Sequence, residues 1–173
     1  MKRLLVDTNI YGLIAKDEDR LEIVGKIKIS GKIIIYGFKI IRNELRDTPK
    51  LIKIQERSLR IDLLNLYDDI VEDHIIEFTS NITKIAEDYY KAYREFGGTK
   101  SKETIIDDFT IVSAGSLNEL DIIVSNDEKS MLTENAIRAY NLINSVINKR
   151  TPRFISYNQF KKLLRGGMSN ELF

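Results

Sequence analysis

The chain contains no cysteine, two prolines and a single histidine. Without cysteine it has no disulfide framework, no thiolate zinc site and no cysteine nucleophile. His74 alone rules out a metal site built from several histidines. A large excess of one charge is also missing: 27 Lys and Arg stand against 26 Asp and Glu, a formal net charge of +1. The molecule as a whole is therefore not a polycation made for nucleic acid. No apolar run approaches the roughly 20 residues of a membrane span. Lys2 and Arg3 precede a short apolar stretch, but Asp7 interrupts it at once, unlike a signal peptide. The chain reads as cytoplasmic, with no membrane partner.

What is present suits a soluble globular protein, 43% hydrophobic and 31% charged. Its 173 residues can bury a sizeable core. No linker or internal repeat divides it, so it reads as a single domain over 1–165 with a C-terminal tail over 166–173, starting at Gly166-Gly167. Charge is uneven along the chain. Residues 26–60 carry ten Lys or Arg and three acids, residues 62–88 eight acids and one Lys, and residues 149–165 six basic residues and no acid. Each cluster alone is ordinary as a solvated helix face. Together they form two basic surfaces flanking an acidic centre, suited to a phosphate backbone.

Leu4, Leu5 and Val6 are a short apolar run closed by Asp7, Thr8 and Asn9, the pattern of a buried strand ending in a turn. Thr8 and Asn9 are good N-caps. Helices are expected over 9–29, broken near Asp17. Ile33, Ile34, Ile35 and Tyr36 form a second strand. A short helix with Phe38, Ile41, Glu44 and Leu45 must stop before Pro49. Apolar spacing predicts a further helix over 51–67, then an acidic stretch over 68–73. Ile75, Ile76 and Phe78 suggest a third strand. A helix capped by Thr79 or Ser80 runs to Phe96 and stops at Gly97-Gly98. Thr104-x-x-Asp107 matches a capping box, predicting a helix over 103–118 with Asp108 in its first turn. Residues 121–124 form the next strand, ended by Ser125, Asn126 and Asp127. Helical stretches over 129–131 and 134–148 follow, then a short strand at Phe154-Ile155 and a helix over 157–164. Strands alternating with helices predict an α/β fold with a central, mainly parallel sheet of about five strands, covered on both faces.

Asp7, Glu44, Asp108 and Asp127 stand out by position. In a parallel sheet the strand C-termini and the N-termini of the following helices share one edge, where open α/β folds bind ligands. Taken singly, each acid has an ordinary explanation: Asp7 as a helix cap, Asp108 as a partner of the helix dipole, Asp127 as a turn aspartate and Glu44 as a surface acid. Taken together, carboxylates sharing a small space repel and raise one another's pKa. A hard divalent cation relieves this, and all-oxygen ligation suits Mg²⁺ or Mn²⁺.

Four segments, VDTNI (6–10), I-x-x-E-L (41–45), D-x-x-I-x-x-A (108–114) and I-V-S-N-D (123–127), resemble in order and spacing the motifs of PIN-domain ribonucleases. The toxin half of VapBC toxin–antitoxin systems is the commonest bacterial and archaeal form of that family. The resemblance covers roughly residues 1–157 and implies a three-layer α/β/α PIN-like fold and a Mg²⁺- or Mn²⁺-dependent endoribonuclease. It places Asp7, Glu44, Asp108 and Asp127 at the family's acidic positions. Asp7, Asp108 and Asp127 would hold the metal, and Glu44 would bind a second ion or position water. Thr8, Asn9, Ser125 and Asn126 match the polar positions that orient the acids or bound water. Asp107 is the alternative to Asp108, which has the better spacing to Ile111 and Ala114. The implied partners are an RNA substrate, a small antitoxin protein and a second copy in a homodimer. The chain is longer than a compact toxin, with the excess between about 48 and 98. Ribosomal-RNA-processing relatives carry the same acids. The rival readings are such a processing nuclease, a non-cleaving PIN-like scaffold that binds RNA or protein, and a flap-type DNA nuclease, whose additional acids are not seen at the expected spacing.

Overall fold

Strand β1 (Lys2–Val6) ends in three residues with no solvent exposure, Leu4, Leu5 and Val6, as a strand covered on both faces requires. The computed structural model describes residues 1–54 and 57–166. After β1 come α1 (Thr8–Lys16), α2 (Arg20–Ile29), β2 (Ile33–Phe38) and α3 (Lys39–Asp47). Then follow β3 (Lys53–Ile54), β4 (Arg57–Ser58), α4 (Leu59–Val71), β5 (Ile75–Ile76) and α5 (Ser80–Glu95). The chain continues through α6 (Lys102–Leu117), β6 (Ile122–Val124), α7 (Glu134–Val146), β7 (Arg153–Ile155) and α8 (Tyr157–Leu164). The beginning of the expected tail, Gly166, has positive φ, and residues 167–173 lie outside the described residues.

Five strands form one sheet in the order β5-β2-β1-β6-β7, and every pairing is parallel. Parallel neighbours need long crossovers, and these put helices on both faces. α1, α2 and α4 pack together, with α8 against α2. α5 packs along α6 and α7, and α6 lies against β6. The result is a three-layer α/β/α arrangement with β1 at the centre of the sheet. Gly37 of β2 has a packing reason: a Cβ there would meet Tyr67 Oη at 2.3 Å and Val71 Cγ1 at 2.6 Å. Gly97 ends α5 in the left-handed region, and the Gly98 amide returns to Tyr93 O at 2.8 Å.

The structure corrects four local expectations. Residues 51–67 are not one helix. β3 and β4 pair antiparallel, Lys53 opposite Ser58, and α4 begins only at Leu59. Leu51 is 93% exposed, so it marks no buried face. The buried stripe is Leu59, Leu63, Leu66, Tyr67, Ile70 and Val71, and it carries the helix through Asp68 and Asp69. Second, Asp7 rather than Thr8 or Asn9 caps α1, its carboxylate accepting the Thr8 amide at 2.8 Å. Third, α6 starts at Lys102 with Ser101 as N-cap, so the Thr104–Asp107 box does not form and Asp108 lies in the second turn. Fourth, residues 128–132 are turns, not helix, because the Asp127 carboxylate captures the amides of Lys129 and Ser130.

Candidate metal centre at the carboxyl edge of the sheet

Asp7 follows β1 directly, at the carboxyl end of the central strand, and is 5% exposed. Its amide is locked to Val124 O at 3.0 Å, which ties it to the end of β6. Its Oδ1 accepts the Thr8 amide, and its Oδ2 accepts Asn9 Nδ2 at 2.9 Å and Ser125 Oγ at 2.7 Å. Burial pushes its carboxyl up, the bonds to Ser125, Thr8 and Asn9 pull it down, and the charge of Asp127 adds to the rise. The net direction is upward. Behind it, Tyr11 is fully buried, and its hydroxyl has no hydrogen-bond partner among the described residues.

Asp127 lies three residues past the end of β6. Its amide donates to Ser125 Oγ at 3.1 Å, so one serine links Asp7 and Asp127. Burial raises the Asp127 carboxyl, but the Ser130 hydroxyl and the amides of Ser130, Lys129 and Met131 outweigh it, leaving the group below its ordinary value. Glu44, on α3, is bonded by the Thr8 hydroxyl. Burial raises it, and the charges of Asp7, Asp107 and Asp47 add against the Thr8 bond. Asp108, on α6, sits among the other three. Burial pushes its carboxyl up to about 7, the Ser130 hydroxyl opposes this, and the charges of Asp127, Asp7 and Glu44 add to it. Asp107 is exposed and bears on Glu44 alone among the four.

The sheet thus brings Asp7, Glu44, Asp108 and Asp127 from four separate segments into one electrostatic neighbourhood. Thr8, Asn9 and Ser125 each hold one of these acids. Asn126 is turned elsewhere: its Oδ1 accepts the Tyr157 amide at 2.9 Å and fixes the start of α8. Sequence reading passed over Ser130, which is 8% exposed and bonded to Asp127. The Asp-x-x-Ser spacing was its only signal, and that pattern is common in turns.

The donor set fits a hard cation: four carboxylates, hydroxyls and no sulfur or imidazole. The carboxylates do not close to joint ligating distance. Among the described residues, Glu72, Asp73 and His74 are the group of three whose donor atoms all lie within 4.8 Å, and it contains none of the four acids. Mg²⁺ suits such spacing, since it binds one or two carboxylates directly and keeps several waters.

Both basic clusters are engaged by the chain's own acids once folded. In 149–165, Lys149 pairs with Glu119, Arg150 with Asp121, Lys161 with Asp17 and Arg165 with Asp19. In 26–60, Lys26, Lys28 and Arg42 are likewise paired, with Glu22, Asp69 and Asp68. Lys39 is exposed at the start of α3, five residues before Glu44. Among the described residues, no helix is long and apolar enough to cross a membrane.

No protein-family model matches the chain, and no curated protein sequence matches it. A chain of the crystal structure of VapBC2 from Rickettsia felis, bound to a DNA fragment from their promoter, superposes with a TM-score of 0.58. The match covers 89% of this chain and 98% of that chain at 14% identity. At that identity the likeness shows the fold, a PIN-like three-layer α/β/α arrangement.

Proposed function

We propose that this protein is a metal-dependent endoribonuclease of PIN type, hydrolysing RNA phosphodiester bonds as the toxin of a toxin–antitoxin pair. The observation that carries the reading is Asp108. A carboxyl held at about 7 by burial and by three neighbouring acids, with no cation set against it, is a charge arrangement awaiting a counter-ion. Asp7, Asp108 and Asp127 would hold Mg²⁺ or Mn²⁺, with Glu44 binding a second ion or positioning water. A bound divalent cation supplies Lewis acidity to the phosphodiester and its attacking water. The chain's own residues do the rest. Ser125 and Asn9 orient Asp7, Thr8 holds Glu44, and Ser130 with its neighbouring amides keeps Asp127 ionised. Lys39, exposed at the start of α3 and five residues before Glu44, would face RNA backbone, so binding weakens with salt.

The toxin assignment is supported by the structural likeness to a chain of a VapBC complex. By that analogy the partners are a small antitoxin and a second copy of the chain, and the compartment is the cytoplasm. The test is RNA cleavage in Mg²⁺ by wild type and by Asp7→Asn. The variant is expected to lose activity; wild-type cleavage rates in the purified variant would overturn the reading. A non-cleaving RNA- or protein-binding scaffold is favoured by one observation, the absence of a closed three-carboxylate group among the four acids. Calorimetry separates the two, because a scaffold binds no Mn²⁺ at millimolar metal.

A further inference from the structure

Ser130 lies three residues beyond Asp127, on the loop that leaves β6, and is 8% exposed. Its hydroxyl donates to Asp127 Oδ2, and its amide donates to Asp127 Oδ1 at 3.0 Å. The Lys129 amide reaches the same Oδ1 at 3.0 Å. An ionised carboxylate offers about four acceptor positions. At Asp127 the Lys129 and Ser130 amides lie on Oδ1 and the Ser130 hydroxyl lies on Oδ2. Asp7 shows the mirror arrangement, with two donors on Oδ2 and one on Oδ1. In each acid one oxygen carries two of these bonds and the other carries one.

The loop is anchored from below. Met131 is fully buried, and its carbonyl accepts Tyr140 Oη at 3.0 Å. The Leu132 amide returns to Asp127 O at 2.9 Å, and Thr133 Oγ1 donates to Ser130 O at 3.2 Å. The backbone of Ser130 is thus held on both sides.

We propose that Ser130 is a positioning residue. Its hydroxyl holds Asp127 through Oδ2 and so orients that carboxylate toward a divalent cation. This inference rests on the reading of the four acids as a metal centre.

The experiment is calorimetric titration of Mn²⁺ into the full chain, as wild type and as Ser130→Ala, Ser130→Cys and Ser130→Thr. Cysteine is close to serine in size but a weak donor, so it carries the comparison should the alanine variant not fold. Ala and Cys are expected to weaken Mn²⁺ affinity by about tenfold or more, the usual effect of losing a group that orients a ligand. Thr, which keeps the hydroxyl, is expected to restore wild-type affinity. Melting without metal reads any purely structural role. Lower melting temperatures with unchanged Mn²⁺ affinity in Ala and Cys would overturn the proposal while leaving the metal centre standing. So would a Thr variant as weak as Ala. Absence of Mn²⁺ binding by wild type would overturn both the proposal and the metal centre.

Discussion

Asp7 and Asp121 sit at opposite ends of neighbouring parallel strands, and their surroundings are reversed. Asp121 precedes β6 at the amino edge of the sheet. Its carboxylate accepts the Arg3 amide at 2.8 Å and Arg150 Nη2 at 2.9 Å. Burial pushes it up, but those two bonds and the Arg150 charge outweigh burial and leave it low. Nearby Glu119 is held low by Lys149. Asp7 follows β1 at the carboxyl edge, where its company is Asp108, Asp127 and Glu44, and the net direction is upward. One edge is electrostatically finished by the chain's own cations. The other is left with concentrated negative charge held by hydroxyls and amides. Burying acids without cations costs folding free energy, so the carboxyl edge is where stability has been given up, as functional sites commonly require.

The largest expected effect contrasts the two aspartates directly. Asp7→Asn should lower Mg²⁺-dependent RNA cleavage more than about a hundredfold, whereas Asp121→Asn should leave it near wild type. Equal losses in the two variants would erase the distinction between the edges. The next effect is on stability. In the metal-free protein the Asp108 carboxyl is held at about 7, against an ordinary 3.8 when unfolded. Between those values the folded state binds the proton and the unfolded state does not. Stability therefore falls as pH rises from about 4 to about 7, by on the order of 4 kcal/mol from this group, and levels off above. Asp108→Asn removes that component, so urea midpoints at pH 5 and pH 8 should lie closer together than in wild type. Asp7 and Glu44 share the sign and keep part of the slope. The smallest effect is at the finished edge. Asp121→Asn should cost at most about 1 kcal/mol at pH 7, since its pairing with Arg150 is near the surface. The sign there is opposite: a lowered carboxyl stabilises above its unfolded value, so this cost should fade as pH falls below about 4.

Several parts of this architecture are visible in sequence. The runs at 4–6, 33–36 and 122–124 are apolar on both faces, which local periodicity reports well. Gly97 announces the end of α5 because only a left-handed residue closes that helix end cheaply. Where reading failed, a contact that apolar spacing does not report decided. Leu51, Ile54 and Leu59 keep a helical spacing, yet Lys53 and Ser58 pair as strands and Leu51 faces solvent. The acidic run at 68–73 looks like a loop, but Ile70 and Val71 are buried within α4 and carry it as helix to Val71. At the site, Asp7 and Asp127 were legible from the strand ends they follow. Asp108 was assigned a first-turn position that it does not occupy. Asn126 looked like a supporting group but serves α8 instead, and Ser130 went unnoticed because its partner is an acid whose own placement had first to be known.

By itself the sequence determined the class of fold and the chemistry available to it. Buried strand runs between amphipathic helices give a parallel α/β sheet, and the lack of cysteine with a lone histidine leaves oxygen donors for any metal. Only the tertiary structure decided which of 26 acids are neutralised and which are not. Asp121 and Asp7 are both strand-end aspartates in sequence. Their difference arises because Arg150 and Lys2 bring positive charge to Asp121 at one edge of the sheet while three more carboxylates meet Asp7 at the other. Charge interaction depends on distance through the fold and not along the chain.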